Sequence, residues 1–119
     1  LARASAAAEN AGLNGLDGTA GATNRVAYVS LHTADPGTTG ANEMASCPRQ
    51  TVSWNAASGG SKTNSNSLAF TNPGTSAATH WGTWDASSGG NYSVGGALAS
   101  SVTAATINIA AGQLSLSLS

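Results

Sequence analysis

The chain has 119 residues, enough for one domain with a core of its own. Four basic and five acidic residues give a formal net charge of −1, which leaves no basic surface to hold a phosphate backbone and excludes a nucleic-acid partner. Charged residues make up 8% of the chain, far below the roughly 25% of ordinary soluble domains. Disorder does not follow from this, because disordered chains couple low hydrophobicity to high net charge and this one is 40% hydrophobic and nearly neutral. Ser, Thr, Asn and Gly supply the polarity instead, a surface suited to life inside an assembly. No apolar run reaches membrane-spanning length, so no membrane role is expected.

Residues 1–24 are rich in alanine and then interrupted by Gly12, Gly15, Gly18 and Gly21. The segment up to about Ala11 reads as a short helix with Arg3 and Glu9 on its polar side. Each later glycine costs roughly 1 kcal/mol of helix relative to alanine, so the rest reads as a pliable arm that orders on a partner. Leu1, Arg3, Glu9, Leu13 and Leu16 are its candidate contacts. "LARASAAAENAGL" is too short and broken for a signal peptide, and a chain starting at Leu1 leaves room for residues upstream.

From Arg25 to Ser119 the apolar period changes to two. "RVAYVSLHT" puts Ala27, Val29 and Leu31 on one face and Val26, Tyr28, Ser30 and His32 on the other. Asp35-Pro36-Gly37 then makes a turn, and the polar loop Thr38 to Glu43 reads as exposed, with Thr38, Thr39, Asn42 and Glu43 as candidate contact residues. "RQTVSWNA" places Val52 with Trp54, "SLAF" stops at the turn signal Asn72-Pro73-Gly74, and "ATHWGTWDA" has the Thr and Trp content of a strand. "ATINIAA" aligns Ile107 with Ile109. "QLSLSLS" points Leu114, Leu116 and Leu118 inward and its serines outward. "WNAASGGS" from Trp54 echoes "WDASSGGN" from Trp84, which predicts two similarly built hairpins. About seven short strands between Gly, Ser, Asn and Pro clusters predict an all-β antiparallel sandwich over 25–119, preceded by the helix or arm of 1–24.

Ser30, His32 and Asp35 have the residue types of a hydrolase triad. On an extended strand, however, Ser30 and His32 are spaced about 6.5–7 Å apart. Asp35 precedes proline, where a carboxylate starts turns, and no G-x-S-x-G elbow is present. His32, His80, Asp35 and Asp85 would have to come from separate strands to hold a metal, and the carboxylates are scattered singly. The single Cys47 allows neither an intrachain disulfide nor a cysteine-based zinc site, and reads as a small semi-buried residue beside Pro48. No catalytic, cofactor or metal site is expected. Trp81 and Trp84 suggest sugar stacking, although their odd separation sets them on opposite faces unless a bulge falls at Gly82.

The succession "AYVSLHTADPGTTGANE", "RQTVSWNAASGG", "THWGTWDASSGGNYSVGGAL" and "AAGQLSLSLS" resembles a family of small tailed-phage virion proteins described as tail-fibre-like. The likeness spans residues 26–119, and its first and third segments are the specific ones. The family has Tyr-Ala before Arg-Gln where this chain has Cys47-Pro48, so the strand there should start later or lie at an edge. The resemblance implies a non-enzymatic structural protein of the virion, assembled in the host cytoplasm. Size, neutral surface and N-terminal arm favour a capsid decoration (cement) protein, with the major capsid protein or other virion proteins as partners and a homo-oligomer, a trimer, as its unit. The alternative is a tail fibre or minor tail protein that binds a receptor or glycan through Trp81 or Trp84.

Overall fold

The stretch "YVSLH" forms β1 (Tyr28–His32), and the strands β2 (Gln50–Thr51), β3 (Ser61–Thr63), β4 (Leu68–Thr71), β5 (Ala78–Trp84), β6 (Tyr92–Val102), β7 (Thr106–Ile109) and β8 (Ser115–Ser117) follow in chain order. They come from a computed structural model, which describes residues 15, 24–73 and 76–117. Apart from residues 15 and 24, the expected helix and arm of 1–24 lie outside the described residues. No helix among the described residues is long and apolar enough to cross a membrane.

Every strand pairing among the described residues is antiparallel. One sheet has the order β2-β1-β5-β6, and two ribbons, β3-β8 and β4-β7, complete the fold. The expected all-β antiparallel architecture is therefore the one observed. Val29 and Leu31 of β1 meet Phe70 and Leu68 of β4, Ile107 and Ile109 of β7, and Leu114 and Leu116 before and in β8, in one buried cluster with Trp81. Each fully buried aliphatic or aromatic side chain contributes about 1.5–3 kcal/mol.

Two details follow the local chemistry closely. β2 begins two positions after Pro48, which leaves the residue without an N–H outside the ladder, and it is an edge strand. The echo also becomes two hairpins. In the first, Ser58 and Ser61 exchange backbone bonds around Gly59 and Gly60, both at positive φ. In the second, Asp85 N–H donates to Asn91 O across the loop joining β5 to β6. Elsewhere the prediction is corrected. The strand read through Val52 and Trp54 stops at Thr51, because Ser53 N–H turns to the Asn66 side chain and Trp54 keeps only an isolated bridge to Asn64.

Buried asparagines fasten the ribbons. Asn64 donates to Asn66 O at 2.8 Å and Ala110 O at 3.1 Å, and accepts from Leu114 N–H at 2.9 Å. Asn72 donates to Ser76 O and Ala104 O, both at 2.9 Å. Each thereby satisfies backbone groups that the short strands leave over.

Candidate functional site

β1 pairs with β5 so that Ser30 faces Gly82, His32 faces His80, and Tyr28 faces Trp84. These residues share the face turned away from the main core. The sequence pattern made this the polar face of the strand, yet Ser30 and His32 are both 0% exposed. The cover is the following loop, which returns antiparallel to β1. Thr33 N–H donates to Asn42 O, and Met44 N–H donates to Leu31 O. Asp35 Oδ1 accepts from Gly37 N–H at 2.8 Å, and Pro36 O accepts from the N–H groups of both Gly40 and Ala41. The expected turn at Asp35-Pro36-Gly37 is thus formed, and it folds the loop over the sheet.

Beneath this cover lies a closed hydrogen-bond chain. Trp84 Nε1–H donates to Ser30 Oγ at 2.8 Å, and Ser30 Oγ and His32 Nε2 are 2.6 Å apart. His32 Nδ1 lies 2.7 Å from Ala41 O. A carbonyl only accepts, so Nδ1 carries the ring proton and Nε2 accepts from the serine hydroxyl. The spacing expected to separate Ser30 from His32 is therefore corrected. Their side chains lean together over Gly82, where an added Cβ would lie 2.8 Å from His32 Nε2.

A serine bonded to a neutral histidine is the core of a nucleophile–base pair. Here the pair is enclosed by Trp84, Gly82 and the loop, and the histidine is oriented by a backbone carbonyl. Asp35 spends its carboxylate on Gly37. Burial lowers the His32 pKa, opposed by the Ala41 hydrogen bond and the Glu43 charge, so neutrality is favoured. The arrangement can cross-link β1, β5 and the loop. Among the described residues no three His, Cys, Asp or Glu side chains gather as a metal site.

Arg49, which the sequence reading did not single out, ties the same region from outside. Its Nε and Nη2 donate to Glu43 Oε2 and Oε1 at 2.8 and 3.0 Å, and its Nη1 donates to Ala86 O and Gly89 O, both at 2.8 Å. Its Cζ lies 3.7 Å from the centre of the Trp84 ring, a cation–π contact. Tyr92 meets the same indole edge-on, with centroids 5.4 Å apart and planes at 71°. Gly40, at φ 77°, closes over the ring, and a Cβ there would lie 2.6 Å from it. The segments carrying the resemblance thus converge on one cluster: the loop with Glu43, the Arg-Gln pair, and the Trp-Asp hairpin.

The other site candidates separate clearly. Leu1, Arg3, Glu9, Leu13 and Leu16 lie outside the described residues. Thr38, Thr39 and Asn42 are exposed, while Glu43 is half-buried and paired with Arg49. Asn42 sits at φ 66° and donates to Asp35 O, which fixes the loop tip. Trp81 and Trp84 lie on opposite faces of β5. The register shift between Gly82 and Trp84 is in the pairing with β6 and does not bring them together. Trp84 is 9% exposed and Trp81 3%. Trp81 packs in the core beside Trp54, 6.3 Å between centroids. Neither indole offers an open face for stacking.

Buried Cys47 has its pKa raised, first by burial and then by Glu43, which keeps it a thiol. Tyr92 is likewise raised by burial and by Asp35.

In comparison with protein families, the model described as "Podophage GP4 fiber I protein gp80" matches residues 3–117. Comparison with curated proteins gives no match.

Proposed function

This chain belongs to the podophage fibre family, whose members are structural components of the phage virion, and on that premise we propose that it is a non-enzymatic fibre module at the tail that engages the host surface. The family match over 3–117 carries this reading. It backs the tail-fibre alternative over capsid decoration, which drew only on size, low charge and the N-terminal arm. The non-enzymatic part is supported by the enclosure of the Ser30–His32 pair, which keeps any substrate from the hydroxyl. In this reading the cluster around Trp84 is a scaffold and Thr38, Thr39 and Asn42 form part of the outward surface. Other virion proteins and further copies of the chain are its partners.

Particles assembled without the chain test it. The expected result is intact, genome-filled heads that fail to adsorb to host cells. Fragile heads with unchanged adsorption would overturn the reading in favour of decoration.

A further inference from the structure

We propose that the open seam between β6 and β8 binds a neutral oligosaccharide, an inference that rests on the fibre reading above. The seam is a cleft of about 400 Å³, lined by Trp81, Gly95 and Gly96 on one side and Gln113, Ser115 and Leu116 on the other. Its volume falls within the ~300–1,000 Å³ common for small-molecule sites. It continues past Ala99 and Gln113 into a smaller depression of about 100 Å³ bordered by Leu98 and Val102, so its shape suits a chain of sugars.

The three indoles differ in one respect that points here. Trp54 Nε1–H donates to Val26 O at 2.9 Å and Trp84 Nε1–H to Ser30 Oγ at 2.8 Å. Trp81 Nε1–H bonds to no described residue, and no fully buried polar side-chain atom of the described residues lacks a partner. Trp81 and Gly96 both line the cleft and Gly96 lies against this N–H, so the N–H borders the cleft while the rest of the ring is in the core. The access exists because Gly96 has no side chain, since a Cβ there would lie 3.2 Å from Nε1.

The chemistry of the lining selects the ligand class. None of the described lining residues is ionisable, so a phosphate, a sialic acid or a peptide terminus would lose hydration there without gaining a counter-charge from them. An indole N–H, the Gln113 amide and the Ser115 hydroxyl supply neutral donors and acceptors, and Val94 and Ala97 supply apolar surface. That combination matches the hydroxyls and C–H faces of an uncharged sugar. Trp84, the other tryptophan named for glycan contact, has its ring covered by Arg49 and Tyr92 and its N–H bonded to Ser30. It takes no part.

Nitrogen-15 NMR of the full chain resolves the question, because each tryptophan gives one indole N–H signal. Titration with neutral trisaccharides of glucose, N-acetylglucosamine and rhamnose at millimolar concentration should shift the Trp81 signal with at least one of them and leave Trp84 in place. Exposed Gln113→Ala should weaken that binding by about fivefold, the worth of one hydrogen bond. Gly96→Ala, with its melting temperature checked, should abolish the shift. A Trp81 signal unmoved by every sugar would overturn the proposal. So would a signal that moves with protein concentration alone, which assigns the seam to a second copy. Phage carrying Gln113→Ala that adsorb normally, with the chain still at the tail, would sink the seam proposal and leave the fibre reading standing. Absence of the chain from the tail would remove the reading itself.

Discussion

Arg49→Ala is the most informative single change, because one side chain holds the loop, the hairpin and the Trp84 ring together. The substitution removes a forked, charge-assisted pair with Glu43, two donations to backbone carbonyls and a cation–π contact. The Arg49 side chain is only 6% exposed while Glu43 is 28% exposed, so the pair is screened from one side alone. Hydrogen bonds to charged groups contribute about 1.5–3 kcal/mol and a partly desolvated cation–π contact about 1 kcal/mol. Water replaces the two carbonyl contacts at little cost. We therefore predict a loss of about 2–4 kcal/mol for Arg49→Ala. Arg49→Lys should recover less than half of this, since an ammonium cannot form the fork. Urea unfolding followed by tryptophan fluorescence measures both, provided the slope is unchanged. A loss below about 1 kcal/mol would mean that the pair behaves as an ordinary surface ion pair, and the clamp would be refuted.

Ser30→Ala should cost about 1–3 kcal/mol, because Trp84 Nε1–H and His32 Nε2 both lose their buried partner; a neutral effect in the same unfolding assay would contradict the closed hydrogen-bond chain. His32 makes stability depend on pH. Its folded pKa is lowered by burial, so the unfolded chain takes up the proton first. The contribution is complete above the ordinary histidine value of about 6.5 and is lost as pH falls below it, by up to about 1.4 kcal/mol per pH unit. Melting temperatures from pH 7.5 to 5 should fall, and less steeply in His32→Gln; equal slopes would assign the effect elsewhere. Asn64→Ala removes three hydrogen bonds in a buried site and should destabilise by about 2–4 kcal/mol, with faster amide exchange at Leu114. Unchanged exchange there would show that the β8 end is held by packing alone.

The apolar alternation at Val29 and Leu31, at Ile107 and Ile109, and at Leu114 and Leu116 was legible because a half-buried strand must repeat every two residues. The same rule misled at Ser30 and His32. It assumes one face meets water, whereas here a loop returns over the second face, and a backbone that folds back leaves no periodic trace. β3 is legible only as the second arm of the Trp54 hairpin and shows no alternation of its own, because Lys62 reads as exposed, yet it is 1% exposed and donates to Asn55 O. β6 is legible only as the second arm of the Trp84 hairpin, and its full length is not, because Gly95, Gly96 and Ala97 carry little strand propensity and its pairing with β5 is interrupted by two register shifts. Glu43 was picked out as an outward contact because its partner is six residues on in an unrelated-looking segment. The available signal was that Arg49 is one of only four basic residues in the chain. In so uncharged a protein, a carboxylate and a guanidinium in two of the segments that carry the family resemblance are the pair to test against each other. At the neutral seam only Trp81 carries a signal in the sequence, since the opposite wall comes from a strand far away in the chain.

Imaging of intact virions with the chain labelled tests the fibre reading most directly. A few copies at the tail, projecting outward, are the predicted result. Hundreds of copies at the lattice positions of the head shell would contradict it and restore the decoration reading.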